Sequence, residues 1–173
     1  MFQKKLGSWS GWVGYTLSWT NRQFDNLNFG KKFPYRYDRR HDIEIVTNKE
    51  LTKKINVAAT WVYATGNAIS LPVAVYGGNF TYPAIFGQTV YNNLLYEGRN
   101  GFRMRAYHRL DASITFKKMK PRGERSWVIS FYNLYNRKNP FYVDFRANDD
   151  GYRRLYQYSL FGIIPSVTYN FKF

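Results

Sequence analysis

The final nine residues, Pro165-Ser166-Val167-Thr168-Tyr169-Asn170-Phe171-Lys172-Phe173, alternate strictly between apolar and polar side chains. A period of two places Val167, Tyr169, Phe171 and Phe173 on one face of a strand and Ser166, Thr168, Asn170 and Lys172 on the other. The termini of soluble domains usually fray into water. A strand that keeps a greasy face up to a last aromatic fits the closing strand of an outer-membrane β-barrel, whose outer face meets lipid. Val167, Tyr169, Phe171 and Phe173 are therefore expected to serve barrel assembly.

The same alternation recurs upstream. Residues 8–20 set Trp9, Val13, Tyr15, Leu17 and Trp19 against Ser8, Ser10, Thr16 and Ser18. At about 3.3 Å per residue and a tilt near 45°, that strand rises roughly 30 Å, enough to cross an apolar band of about 25 Å with Trp9 and Trp19 at its boundaries. A second strand is expected over 38–48, where Ile43 and Ile45 oppose Asp42 and Glu44. A third spans 54–65, with Ile55, Val57, Ala59, Trp61 and Tyr63 on one side. A fourth spans 107–117, with Leu110, Ala112, Ile114 and Phe116 aligned. The fifth runs from Arg125 through Trp127, Ile129 and Phe131. Strict alternation would carry Asn133 onto that greasy face, so either a bulge intervenes or the strand has already left the apolar band.

Connections between these strands run long (21–37), short (49–53), long (66–105), short (118–124) and intermediate to long (136–158). Outer-membrane barrels have short periplasmic turns and long outer loops, and the same alternation here puts the C-terminus on the periplasmic side. The expected architecture is all-β: an antiparallel, up-and-down transmembrane barrel segment of about six strands over residues 1–173. Composition agrees. Aromatics make up 20% of the chain, as 16 Tyr, 14 Phe and 5 Trp, at a mean hydropathy of -0.52. A soluble core would be dominated by Leu, Ile and Val, whereas barrels need Tyr and Trp at the membrane boundary. No stretch approaches the roughly 18 consecutive apolar residues of a transmembrane helix.

Net charge is +15, from 26 Lys and Arg against 11 Asp and Glu. Partners compatible with that charge are nucleic acid, anionic lipid head groups and acidic ligands. The chain has no cysteine, so disulfides and thiolate metal sites are excluded. Met1-Phe2-Gln3-Lys4-Lys5-Leu6 is too short an apolar run for a secretory leader. A chain bound for an outer membrane should carry one, so either a longer parent protein or a misplaced start is expected.

Candidate chemistry is sparse. His41 and His108 are the two histidines, too few for a metal site without further ligands. No serine or threonine sits in a nucleophile elbow, and the acids are scattered. No enzyme, metal or cofactor is expected. Arg-x-Asp occurs twice, as Arg40-Asp42 and Arg109-Asp111. If Ile43 and Leu110 face lipid, the pleat turns all four charged side chains inward. They either neutralise one another in a hydrated interior or contact an anionic or chelated solute. Aromatics in the long connections, among them Tyr35, Tyr37, Tyr82 and Tyr96, either stack on a ligand or pack the loops together. The basic loop residues Arg22, Lys31, Lys32, Arg36, Arg153 and Arg154 suit lipopolysaccharide phosphates.

Four segments, in order, carry a resemblance. Tyr37-Asp38-Arg39-Arg40-His41-Asp42, Tyr107-His108-Arg109-Leu110-Asp111, Tyr132-Asn133-Leu134-Tyr135-Asn136-Arg137-Lys138-Asn139-Pro140 and Tyr169-Asn170-Phe171-Lys172-Phe173 resemble the C-terminal barrel of Bacteroidota-type TonB-dependent outer-membrane receptors. The likeness extends from Gly7 to Phe173. It implies a barrel of about 22 strands closed by a plug, which takes up a scarce solute such as a siderophore, metal chelate, glycan or peptide. Implied partners are outer-membrane lipid and lipopolysaccharide, the missing plug and barrel strands, TonB through a missing N-terminal part, the barrel-assembly machinery and a surface lipoprotein. About six strands with open edges could not satisfy their backbone groups in lipid, so this chain is not expected to insert or transport alone. Two other readings compete. One is a smaller autonomous outer-membrane barrel with a structural or adhesive role. The other is a soluble, basic β protein that stacks nucleic-acid bases on its aromatics, although no RNP-type, KH or zinc-knuckle pattern is present.

Overall fold

The computed structural model describes residues 1–5, 7–80, 89–121, 123–147, 149 and 153–172. The fold is all-β, with no α-helix among these residues. Among the described residues no helix is long and apolar enough to cross a membrane, which says nothing of crossing by strands. In chain order the strands are β1 (Phe2–Lys4), β2 (Trp9–Leu17), β3 (Asn21–Arg22), β4 (Phe33–Pro34), β5 (His41–Thr52), β6 (Ile55–Ala64), β7 (Ala68–Ile69) and β8 (Pro72–Phe80). They continue as β9 (Thr89–Tyr96), β10 (Phe102–Arg103), β11 (Tyr107–Lys120), β12 (Gly123–Tyr132), β13 (Tyr142–Ala147), β14 (Arg153–Tyr158) and β15 (Ile164–Lys172).

Seven of these strands form one sheet in the order β1-β2-β5-β6-β11-β12-β15, and all its pairings are antiparallel. Each neighbour is the next sheet strand along the chain, so the sheet is an up-and-down meander. β1 and β15 hold its two edges, and no pairing among the described residues joins them into a closed barrel. The chain forms two compact units: residues 1–18, 39–66 and 105–173, which carry this sheet and the β13–β14 hairpin, and residues 19–38 and 67–104. The second unit consists of the pairs β3–β4 and β7–β10 and the hairpin β8–β9.

Residues paired directly across antiparallel strands share a face, so the register shows where each side chain goes. Val13 pairs with Ile45, Ile45 with Trp61 and Trp61 with Leu110. Val57 pairs with Ile114, Ile114 with Ile129 and Ile129 with Val167. Phe116 pairs with Trp127, and Trp127 with Tyr169. These apolar residues of six strands thus fall on one face. The opposite face carries rows such as Asn48, Ala58, Ser113, Ser130 and Ser166. A slip of one residue in any pair would break this, because the side-chain period is two.

Several expected boundaries are corrected. Among the described residues the main sheet has seven strands where about six were expected, and the additional one, β1, is too short to show a period. β2 ends at Leu17, so Trp19 lies beyond it and marks no strand boundary. β5 starts at His41 rather than at residue 38 and runs to Thr52, through the expected turn at 49–53. A register shift between Glu50 and Thr52 accommodates Leu51. The actual turn is Lys53-Lys54, where the Thr52 hydroxyl accepts the N–H groups of Lys54 (3.2 Å) and Ile55 (3.0 Å). β11 likewise extends to Lys120 and β12 starts at Gly123, which shortens the turn expected at 118–124. The connection 66–105 is largely paired as β7–β10 and β8–β9, and 136–158 contains the hairpin β13–β14. Asn133 needs no bulge: β12 ends at Tyr132, and Asn133 turns away at φ 54.

Strand packing is tightest at Gly11. A Cβ there would overlap the carbonyl oxygen of Val46 on β5, whereas a Cβ at Gly14 would meet the Trp12 ring at 3.1 Å, which can give way. Gly11→Val is expected to cost about 1–3 kcal/mol and Gly14→Ala less. The midpoint of urea unfolding, followed by tryptophan fluorescence, checks the order; equal midpoints for the two variants would contradict this packing.

Candidate functional site

The start of β11 and the segment after β12 form one polar cluster. Arg109 and Asp111 lie two apart on a strand and so share a face. Nε of Arg109 donates to Asp111 Oδ2 at 2.9 Å, Nη2 lies 2.8 Å from the same oxygen, and Nη1 donates to the Tyr107 hydroxyl at 3.0 Å. The guanidinium also stacks 4.1 Å from the Tyr132 ring centroid. The second carboxylate oxygen of Asp111 accepts the Asn133 N–H at 2.9 Å.

Asn133 is 1% exposed and takes the left-handed conformation that asparagine tolerates. Its Nδ2 donates to the carbonyls of Arg137 (2.9 Å) and Phe161 (3.4 Å), and its Oδ1 accepts the Arg137 N–H at 2.9 Å. Asn136, also at φ 54, accepts the Ile163 N–H at 3.1 Å. Asn139 brackets the His108 backbone, accepting its N–H at 3.0 Å and donating to its carbonyl at 2.9 Å. The asparagines of 132–140 therefore tie this turn to β11, with Asp111 as anchor. Arg109 and Asp111 are brought together as a mutually satisfied pair. Asp42 meets Arg39 at 3.8 Å with both side chains well exposed. Arg40 lies just ahead of β5, outside the strand whose alternation was used to aim it.

Within the second unit, the organising group is Asp38, 1% exposed. Its Oδ1 accepts the Thr20 N–H at 2.6 Å. Its Oδ2 lies 2.6 Å from Arg103 Nη2, while Arg103 Nη1 donates to the Asp38 carbonyl at 2.5 Å. Tyr35 sits under the Arg22 guanidinium at 3.8 Å and edge-on to Tyr37 at 5.5 Å, so both of these expected contacts share one aromatic–cationic cluster. Tyr96 lines a separate cleft of about 570 Å³ with Phe29, Lys31, Ser70, Glu97 and Arg99. The turn Asn28-Phe29-Gly30 at its edge has φ values of 54, 56 and 71. A phenylalanine at positive φ is strained, and this one is 97% exposed. Asn28 holds the turn in place, accepting the Arg99 N–H at 3.0 Å. Tyr82 lies outside the described residues.

The two ends of the apolar face are chemically distinct. Where the long connections leave, Tyr15 bonds the His41 ring nitrogen at 2.9 Å and Tyr135 bonds that of His108 at 2.8 Å. At the short-turn end, Trp9 donates to the Thr47 hydroxyl at 2.6 Å, and Trp127 lies 4.8 Å from Tyr169. Val167, Tyr169 and Phe171 take the apolar face of the edge strand β15, as alternation required, and Phe173 lies outside the described residues. Among the described residues, no group of three or more His, Cys, Asp or Glu side chains is placed to hold a metal.

Asp38, Asn133 and Phe29 were not among the expected site residues, although Asp38 and Asn133 fall within the segments that carry the resemblance. For Asn133 and Phe29 a signal existed in the turn-prone Asn-x-x-Asn and Asn-Phe-Gly spacings. For Asp38 there was none, because Arg103 lies far along the chain. Comparison with known proteins finds no matching family model, curated protein or solved structure.

Removing one partner of a buried ion pair leaves the other uncompensated. Asp38→Ala should lower the local stability of residues 19–38 and 67–104 by about 3 kcal/mol. Amide exchange at Thr20 should then speed up roughly a hundredfold; unchanged exchange would show that the pair holds nothing. At Asn133, alanine should destabilise more than glycine by about 1 kcal/mol, because glycine keeps the left-handed backbone without strain. Urea unfolding of the two variants measures that difference.

Proposed function

We propose that this chain is part of the barrel wall of a Bacteroidota-type TonB-dependent outer-membrane receptor. In this reading it contributes to uptake of a scarce solute: a siderophore, metal chelate, glycan or peptide. The observation that carries the reading is the uncovered apolar face. Val167 is 63% exposed and Trp127 52% exposed, in a sheet whose register collects the apolar residues on that side. A soluble antiparallel sheet packs such a face against a second layer, and large exposed apolar patches mark surfaces that meet something else. Hydrocarbon between two aromatic boundaries answers that need.

The remaining parts of the reading follow from it. Open edges at β1 and β15 would cost several kcal/mol per unsatisfied backbone group in lipid. Further strands of the same wall would pair them, with a plug and a TonB-contacting segment elsewhere in the parent protein. The barrel-assembly machinery would receive β15, and a surface lipoprotein would cap the long connections. The role is binding and passage, without catalysis or cofactor. Phe29, Tyr96, Lys31 and Arg99 are the side chains we assign to solute contact, since strained, exposed aromatics beside cations suit a ringed, anionic ligand. A nucleic-acid role would use the positive charge and leave the apolar face unexplained.

Arginine substitutions separate the two faces. Val13→Arg and Val57→Arg should each cost about 2–4 kcal/mol when folding of the full-length parent receptor into lipid vesicles is measured, and Ser10→Arg on the other face far less. Equal costs on both faces would contradict the reading.

A further inference from the structure

The short-turn end of the apolar face carries charge that neither strand pairing nor an apolar surface requires. Lys118 on β11 and Arg125 on β12 are direct register partners, on the same face as Phe116 and Trp127. Like charges placed directly opposite destabilise a strand pair. Lys120 follows two residues further along that face, and Lys54 projects from the β5–β6 turn. Among the described residues, no carboxylate lies within ion-pair distance of any of these four cations. Glu124 is next in sequence to Arg125 but alternates to the opposite face, between Met119 and Lys172. Beside the cations, Ile55, Phe116, Trp127 and Tyr169 line a recess of about 720 Å³. Arg125 lies 5.3 Å from the Phe171 ring.

The recess therefore has an apolar floor, an aromatic rim and a cationic lip, in the order of an amphiphile's acyl chain, glycerol region and phosphate. We infer that it is a binding site for an anionic glycerophospholipid, whose phosphate sits between Lys118 and Arg125 with Lys54 and Lys120 beside it. The acyl chains lie along Phe116 and Trp127. Charge complementarity selects this occupant. A second copy of the same face would add cations to cations, and a zwitterionic headgroup would bring an ammonium group against the lip. This inference rests on the membrane reading, in which the short-turn end is periplasmic and the adjoining leaflet is glycerophospholipid.

The test is lipid retention by the detergent-purified, delipidated full-length parent protein, read by native mass spectrometry after adding phosphatidylglycerol, phosphatidylcholine or lipid A. Wild type should retain phosphatidylglycerol at least about tenfold over phosphatidylcholine, worth about 1.4 kcal/mol. Lys118→Gln/Arg125→Gln should abolish that preference, and Lys172→Gln, on the opposite face of the same sheet end, should leave it intact. Equal retention of the two phospholipids by wild type overturns the inference without any variant. So does preferred retention of lipid A, or full displacement by millimolar inorganic phosphate, which would mark a free-anion site. A protein that folds into vesicles but shows no headgroup preference refutes this site alone. One that neither folds into vesicles nor retains any phospholipid refutes the membrane reading beneath it.

Discussion

Cross-strand register is the constraint on which this structure depends. In a pleated sheet, a side chain's face is decided by parity alone, and parity holds across the sheet only if every neighbouring pair keeps step. Here it does, from Val13 through Ile45 and Trp61 to Leu110, and from Val57 through Ile114 and Ile129 to Val167. What this alignment does not produce is an interior. The fully buried apolar residues among those described are Phe33, Ala64, Ala68 and Met104. These are too few to supply the apolar burial that normally offsets chain entropy. The main sheet keeps its backbone ladder and leaves its greasy face bare, and in the proposed reading the lipid which that face meets supplies the missing burial.

The strands that alternation made legible are those with strongly unlike faces, such as β11, where Leu110, Ala112, Ile114 and Phe116 oppose Arg109, Asp111, Ser113 and Thr115. Their ends were less legible, because charged residues continue these strands beyond their alternating apolar rungs. Lys49 pairs with Val57, and Lys118 with Arg125, as rungs of the sheet. Lysine-rich stretches read as turns are therefore the last rungs of β5 and β11. The hairpin β8–β9 was hidden for another reason: Pro72–Phe80 contains Gly77-Gly78 and shows no contrast between faces. A fold in which loops carry their own paired strands looks, in sequence, like one long connection.

The candidate site was legible where chemistry is local and hidden where it is not. Arg109 and Asp111 are two residues apart, and the pleat alone brings them together. Asp38 and Arg103 are joined only by the fold of the second unit, and nothing in either neighbourhood announces the pair. Asn133 shows how a motif can be read for the wrong property. Its place after Phe131 raised a question about strand parity, whereas its role is to turn the chain at positive φ and fill the backbone bonds of 137 and 161.

The claim at the centre of this account is that hydrocarbon covers the apolar face. The most direct measurement places a fluorophore singly at 110 to 116 along β11, in the membrane-embedded protein, and quenches it from brominated lipid chains and from aqueous iodide. The account predicts a period of two: lipid quenching at 110, 112, 114 and 116, and iodide quenching at 111, 113 and 115. Protection from both quenchers at the even positions would mean that protein covers this face, and would contradict the account.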